Sequence, residues 1–473
     1  MVFSAPLFIF LFLPLVLCIY YILPYRLRNT FLLASSLLFY FYGERSYTVV
    51  MILMIALNYG FGLWIARKGM LSKKLLIGIC IALNLSILGY FKYYNFFIEA
   101  FNDVFSFAGI TLANGGSIHL PIGISFFTFQ ALSYVIDTYR GEVKVQRNPA
   151  NLALYIALFP QLIAGPIVRY ADIERAIEKR KHLWKNFSYG IERFIFGLAK
   201  KVLIANSIAF YVDKIFVVPD NELSTALVWL GVIGYALQIY FDFSAYSDMA
   251  IGLGRMFGLK FLENFEHPYI AVSIQDFWRR WHISLSTWFR DYLYIPLGGS
   301  RQSTLNTYRN LLIVFFLTGL WHGASYNFII WGFLHGLFLI IERAGFSKVL
   351  NRLPMIVKSG YVLVVVLIGW VFFRAETLAQ AYSFLTKMFS FSSSLQADAH
   401  FAFIIDSNFL VMLAIGVLFS IPIRRWVFED CFLDHPTASF PKRILYTGIT
   451  ICVFLISVIF LAAGTYNPFI YFR

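Results

Sequence analysis

Apolar runs of transmembrane length recur from one end of the chain to the other, and the stretches Met1–Tyr25, Tyr47–Ala66, Asn148–Val168, Leu223–Phe241 and Ile444–Phe472 contain no Asp, Glu, Lys or Arg. A hydrocarbon core of roughly 30 Å takes about 20 apolar residues in helical form. Barrel strands would be about half that length and would alternate polar with apolar positions, so these runs predict helices. The pattern predicts an all-α multi-pass membrane protein of eleven to thirteen crossing or embedded helices. No linker or low-complexity tract divides it, so a single membrane domain is expected over 1–473, with simple spans over 1–110, a core over 120–345 and further spans over 346–473.

Interruptions of the apolar pattern mark where chemistry could sit. Leu120–Asp137 opens with Pro121 and Gly123 and carries Thr128 and Gln130, which predicts a broken or re-entrant element. FPQLIAGPIVR, from Phe159 to Arg169, is a second interrupted run. Arg169 to Lys185 is the most charged loop, read as an amphipathic helix on the cytosolic surface. In DFWRRWHISLSTWFRDYLYIPLGGSR, Asp276 to Arg301, helical spacing gathers Trp278, Trp281, His282, Leu285, Trp288 and Phe289 on one face. Arg279, Arg280, Ser284, Thr287, Arg290 and Asp291 fall on the other. Leu311–Ile341 runs 31 residues without a formal charge, about 46 Å if wholly helical. That exceeds one span, and a break is expected near Gly319, Gly323, Asn327 or Gly332, which bracket Trp321 and His322.

Composition agrees with the pattern. The 473 residues are 59% apolar and 14% charged, with mean hydropathy +0.70 and 52 Phe, 29 Tyr and 10 Trp. A soluble chain carries about a quarter charged residues. The first apolar run has no basic residue before it and Arg26 and Arg28 after it, which predicts an uncleaved anchor with the amino terminus outside. The net charge of +14 sits largely in short loops, as positive-inside bias requires; it would also draw a polyanionic cytosolic donor such as a coenzyme A thioester. No basic module stands apart from the apolar segments, so nucleic acid is not an expected partner. Cys18, Cys80, Cys431 and Cys452 form no paired motif and read as small core residues.

An ionisable side chain within a membrane helix is a functional candidate by default. His322 is the foremost one, as a base or relay, because burial would keep its ring neutral and able to accept a proton; a hydrogen-bonded core histidine packed against Trp321 is the alternative. His282 is placed to orient or polarise a reacting group, with an interfacial structural role as its alternative. His335 reads as packing. His119, His182, His267, His400 and His435 carry no signal. Asp242 and Asp248, with Ser244 and Ser247 in YFDFSAYSDMAIGLGRMFG, form either a polar wall of a reaction chamber or helix caps plus an ion pair from Asp248 to Arg255 or a loop arginine. No metal site is expected, since neither a Cys pair nor H-E-x-x-H is present. Gly-Lys and G-x-S-x-G are both absent, which excludes a P-loop and leaves any serine nucleophile to another protein.

Those segments, with LPIGISFFTFQALSYVIDTYRG, GLWHGASYNFIIWGFLHG and the ending NPFIYFR, closely resemble the membrane-bound O-acyltransferase (MBOAT) family in its bacterial, polysaccharide-acetylating branch, over nearly the whole chain. The resemblance implies a helix bundle around a central funnel in the bacterial cytoplasmic membrane. It implies a catalytic role for His322 with His282 as its partner, and a passage shaped by Trp278, Trp281 and Trp321. Asp242, Asp248 and Asn327 are carried as channel candidates beside them. It further implies cytosolic acetyl-CoA as the acyl-donor substrate with no permanently bound cofactor, a polysaccharide acceptor, and an extracytoplasmic SGNH-type acetyltransferase as partner. Two rivals remain open at this point: D-alanyl transfer from a carrier protein to teichoic acid, and non-enzymatic transport.

Overall fold

In the computed structural model, which describes residues 2–67, 72–112, 116, 118–390, 401–422, 440–464 and 466, every regular element is helical. The ending NPFIYFR, His400, His435 and Cys431 lie outside the described residues. Among the described residues, seven segments have the length and hydropathy to cross a membrane: Tyr25–Ala66, Lys73–Phe105, Trp184–Phe216, Thr225–Met256, Tyr326–Leu350, Met355–Arg374 and Ile444–Ala462. Shorter apolar helices run over Phe8–Ile22 and Ser407–Ser420. The chain is a multi-pass all-α membrane protein. The larger number expected from the sequence includes embedded helices that are too short to span.

The helices form two compact units, Met1–Phe187 with Leu253–Leu262, and Ser188–Gly252 with Glu263–Arg473. In the first, α1 (Leu13–Ile22) leads to α2 (Tyr25–Glu44), which turns at Arg45 (φ 38°) into α3 (Thr48–Ala66). The next helix, α4 (Lys73–Phe105), is locked to α3 by a reciprocal amide pair: Asn58 Nδ2 donates to Asn84 Oδ1 at 2.9 Å, and Asn84 Nδ2 returns the bond at 3.1 Å. Both side chains are inaccessible, and an amide without its partner there would cost about 1–3 kcal/mol.

The segment expected to break after Leu120 is an unbroken helix, α5 (Ile124–Arg140), buried on almost every side. Pro121 and Gly123 punctuate its entrance rather than its middle. Gly123 is left-handed (φ 75°), and a Cβ there would lie 2.6 Å from the Leu162 carbonyl oxygen, so only glycine serves. Two short helices follow, α6 (Pro149–Ala157) and α7 (Phe159–Leu162), the latter fulfilling the expected interruption. The charged loop contains α8 (Tyr170–Glu178), which buries Tyr170, Ile173 and Ile177. The cysteine expectation holds for Cys80 alone; Cys18 and Cys452 are exposed, on apolar helices with an outward face.

The second unit takes most of α9 (Trp184–Ala199), a π turn over Lys200–Ala205, α10 (Asn206–Phe216) and most of α11 (Thr225–Met256). Its later part holds α12 (Ile274–Arg280), α13 (Ile283–Phe289), α14 (Thr304–His322), α15 (Tyr326–Ile341), the short α16 (Ser347–Leu350) and α17 (Met355–Arg374). The pair α14 and α15 is the closest packed: a Cβ on Gly319 would lie 2.3 Å from the Phe328 carbonyl oxygen, and one on Gly332 would lie 2.2 Å from that of Phe315. Backbone therefore meets backbone, as small residues permit between membrane helices.

Candidate active site

The amphipathic stretch from Asp276 is not one helix. Both sets of residues keep their faces in outline, with Trp278, Trp281, His282, Leu285, Trp288 and Phe289 all buried, but the helix stops at Arg280 and restarts at Ile283. Between them Trp281 is extended and His282 is left-handed (φ 43°, ψ 54°). A left-handed residue bearing a Cβ costs on the order of 1–2 kcal/mol, so contacts from elsewhere must impose it.

Those contacts can be named. A seven-residue helix such as α12 is unstable alone, and its first amides are capped by Ser273 Oγ, which accepts from Asp276 N at 2.9 Å. The Glu342 carboxylate adds two more bonds, accepting from Ile274 N at 2.6 Å and Gln275 N at 3.2 Å. Across the break, Glu266 N donates to the Arg280 carbonyl at 2.9 Å and Ile283 N to the Asn264 carbonyl at 2.9 Å. Asn264, a residue that the sequence does not single out, then accepts at Oδ1 from Ser284 N (3.1 Å), Ser284 Oγ (2.9 Å) and His282 Nδ1 (3.3 Å). Ser284, assigned by periodicity to the polar face, is buried in this bond set.

His322 closes α14, with Gly323 leaving in extended backbone, so the break expected in the charge-free stretch falls beside it. The His282 and His322 rings have centroids 6.4 Å apart. Trp321 touches both, at 5.8 Å from His282 and 5.0 Å from His322. Trp331 and Phe373 wall the His322 ring at 4.9 and 5.1 Å, and Phe243 meets His282 edge-on at 4.6 Å. His282 has no accessible surface, whereas His322 keeps part of its own exposed. Burial among these rings holds the His282 imidazole below the usual histidine range, hence neutral.

The other sequence candidates fall around this pair. Trp281 lies one layer back, parallel to Phe277 at 5.7 Å and against Trp370 at 4.9 Å. Trp278 Nε1 donates to His335 Nδ1 at 3.3 Å, and the His335 ring lies parallel to Phe277 at 6.1 Å. Asn327 donates to the Ala375 carbonyl at 2.6 Å, where α17 ends. Asp242 pairs with Lys201 at 2.5 Å, both nearly inaccessible. Asp248 is held by Arg193 at 2.6 Å and Lys200 at 2.7 Å, and Arg193 also meets Glu263 at 2.5 Å. The expected Arg255 partner instead donates to Asn186 at 3.4 Å. Among the described residues no group of three or more His, Cys, Asp or Glu is placed to hold a metal ion.

Two imidazoles in an aromatic enclosure, one sealed and one partly open, at the ends of broken helices, form an arrangement suited to moving a proton at low dielectric. The model of the membrane-bound O-acyltransferase family matches residues 142–374, and the chain belongs to that family. It is an acyltransferase. Among its relatives, the probable alginate O-acetylase AlgI of Azotobacter vinelandii is 39% identical with both chains covered in full, and that of Pseudomonas aeruginosa is 45% identical over 83% of this chain and 76% of its own. The peptidoglycan O-acetyltransferase of Helicobacter pylori is 38% identical over 82% of this chain and 80% of its own.

Proposed function

We propose that the protein moves acetyl groups from cytosolic acetyl-CoA across the bacterial cytoplasmic membrane for O-acetylation of an envelope or extracellular polysaccharide, with its amino terminus outside. The observation that carries this reading is the pairing of His282 with His322 beside Trp321, in a chain alike over its full length to an alginate O-acetylase. His322 acts as base: its ring takes the proton of an acceptor hydroxyl as the oxygen attacks the thioester carbonyl. The C–S bond then breaks, and the proton passes to the departing thiolate. His282, neutral and sealed, orients the reacting group.

The acceptor hydroxyl that meets the acetyl group is the polysaccharide's own or the serine of an extracytoplasmic SGNH-type acetyltransferase. Vesicles carrying the purified protein, offered radiolabelled acetyl-CoA with soluble alginate or peptidoglycan fragments, with and without such a partner, test the reading by the label fixed in polymer. Labelled D-alanyl carrier protein runs in parallel. Transfer of D-alanine instead of acetyl, or full acetyl transfer by a His322→Ala variant, would overturn it.

A further inference from the structure

We propose that Asn264 is a positioning residue that fixes His282 as its Nδ1–H tautomer and so makes Nε2 the basic atom of that ring. The proposal rests on the reading of His282 as part of the acyl-transfer site, and it adds a residue and an atom to that reading. Its starting point is a backbone group. The amide of Ser284 can only donate, so the Asn264 side-chain atom 3.1 Å from it is oxygen. The opposite end of the amide is therefore the NH2 group, which donates to Ser247 Oγ at 3.1 Å. Both ends being assigned, the His282 Nδ1 that meets the same oxygen at 3.3 Å must carry the hydrogen. A neutral ring protonated at Nδ1 has its lone pair at Nε2. Nε2 is buried and makes no hydrogen bond among the described residues, so it is the ring atom left to accept a hydrogen bond from the reacting group.

The amide cannot easily turn over. Asn264 is 1% exposed and Ser247 is 2% exposed, and reversing the amide would set its NH2 group against the Ser284 N–H. The residues on either side are tied as well, since Glu263 and Asp248, the neighbours of Asn264 and Ser247, share Arg193. Few charges face the His282 ring to complicate its titration. The titratable ring beside it is His322, at 6.4 Å between centroids. Phe243, Phe265 and Trp321 supply the remaining ring contacts, and Asp248 and Glu263 are matched by Arg193 and Lys200.

Nitrogen-15 spectra of histidine-labelled protein in lipid nanodiscs test this without touching Asn264. The resonances lost in a His282→Gln variant should show a protonated Nδ1 and a bare Nε2; a protonated Nε2 overturns the proposal. Asn264→Asp keeps the acceptor and adds charge, so the acid limb of the rate profile should move to higher pH by about one unit or more. Asn264→Leu removes the acceptor; it should yield mixed tautomers and lower kcat by about 10²-fold with KM near wild type. Reduced folded protein with an unmoved pH limb and an unchanged tautomer would mean that Asn264 is only structural. Undiminished acetyl transfer by His282→Gln would instead sink the catalytic reading and leave the tautomer result standing.

Discussion

His282 and His335 are both fully buried among aromatic rings, yet the structure treats them in opposite ways. His335 sits in the body of α15, its Nδ1 taking the Trp278 indole hydrogen and its ring lying parallel to Phe277. His282 occupies a left-handed break between two short helices, held open by Asn264 and Glu266 from an irregular segment, with its ring near the partly exposed His322. Burial and aromatic company therefore do not distinguish the imidazole proposed for the acyl-transfer site from the packing one. Between these two rings the difference lies in the backbone. A residue inside a helix takes its position from the ladder, whereas one at a break needs contacts from elsewhere to hold it, and such strain is retained where it serves function.

Four substitutions sharpen or break this contrast, in descending order of effect. His322→Ala should lower acetyl transfer by about 10²- to 10⁴-fold, with melting temperature and yield in detergent near wild type. His282→Gln should cost about 10²-fold in the labelled acetyl-CoA assay, the lower end of what proton-transfer groups contribute. Gly332→Ala should destabilise the protein by about 1–3 kcal/mol through overpacking against the Phe315 carbonyl, seen as a lower melting temperature while rate per folded molecule is retained. His335→Phe should leave that rate unchanged and cost about 1 kcal/mol of stability for the acceptor lost to Trp278. If His335→Phe silenced transfer while His282→Gln did not, the assignment of roles would be reversed.

Much of the architecture was readable from the chain, because apolar runs without charge leave a membrane helix no alternative. The break beside His322 was readable too, since the uninterrupted stretch was too long for one span and glycines stood near Trp321. The break at His282 was not. DFWRRWHISLSTWF has unbroken helical periodicity and neither proline nor glycine. What holds the break open is Asn264, 18 positions before His282, while Glu342, 68 positions after Ile274, caps the start of the first short helix. Asn264 itself, in LENFEHPY, reads as an ordinary loop asparagine, and nothing local marks it as the hub of four side-chain hydrogen bonds. The partners of Asp248 were missed for a related reason. A neighbour on the same helix was the economical guess, while the actual cations come from α9 and the π turn after it.

With carbonyl oxygens seated directly on Gly319 and Gly332, α14 and α15 have no side-chain cushion on which to slide or hinge. Such direct backbone seating makes the two one stiff plate, which sets the ring of His322 4.9 Å from that of Trp331.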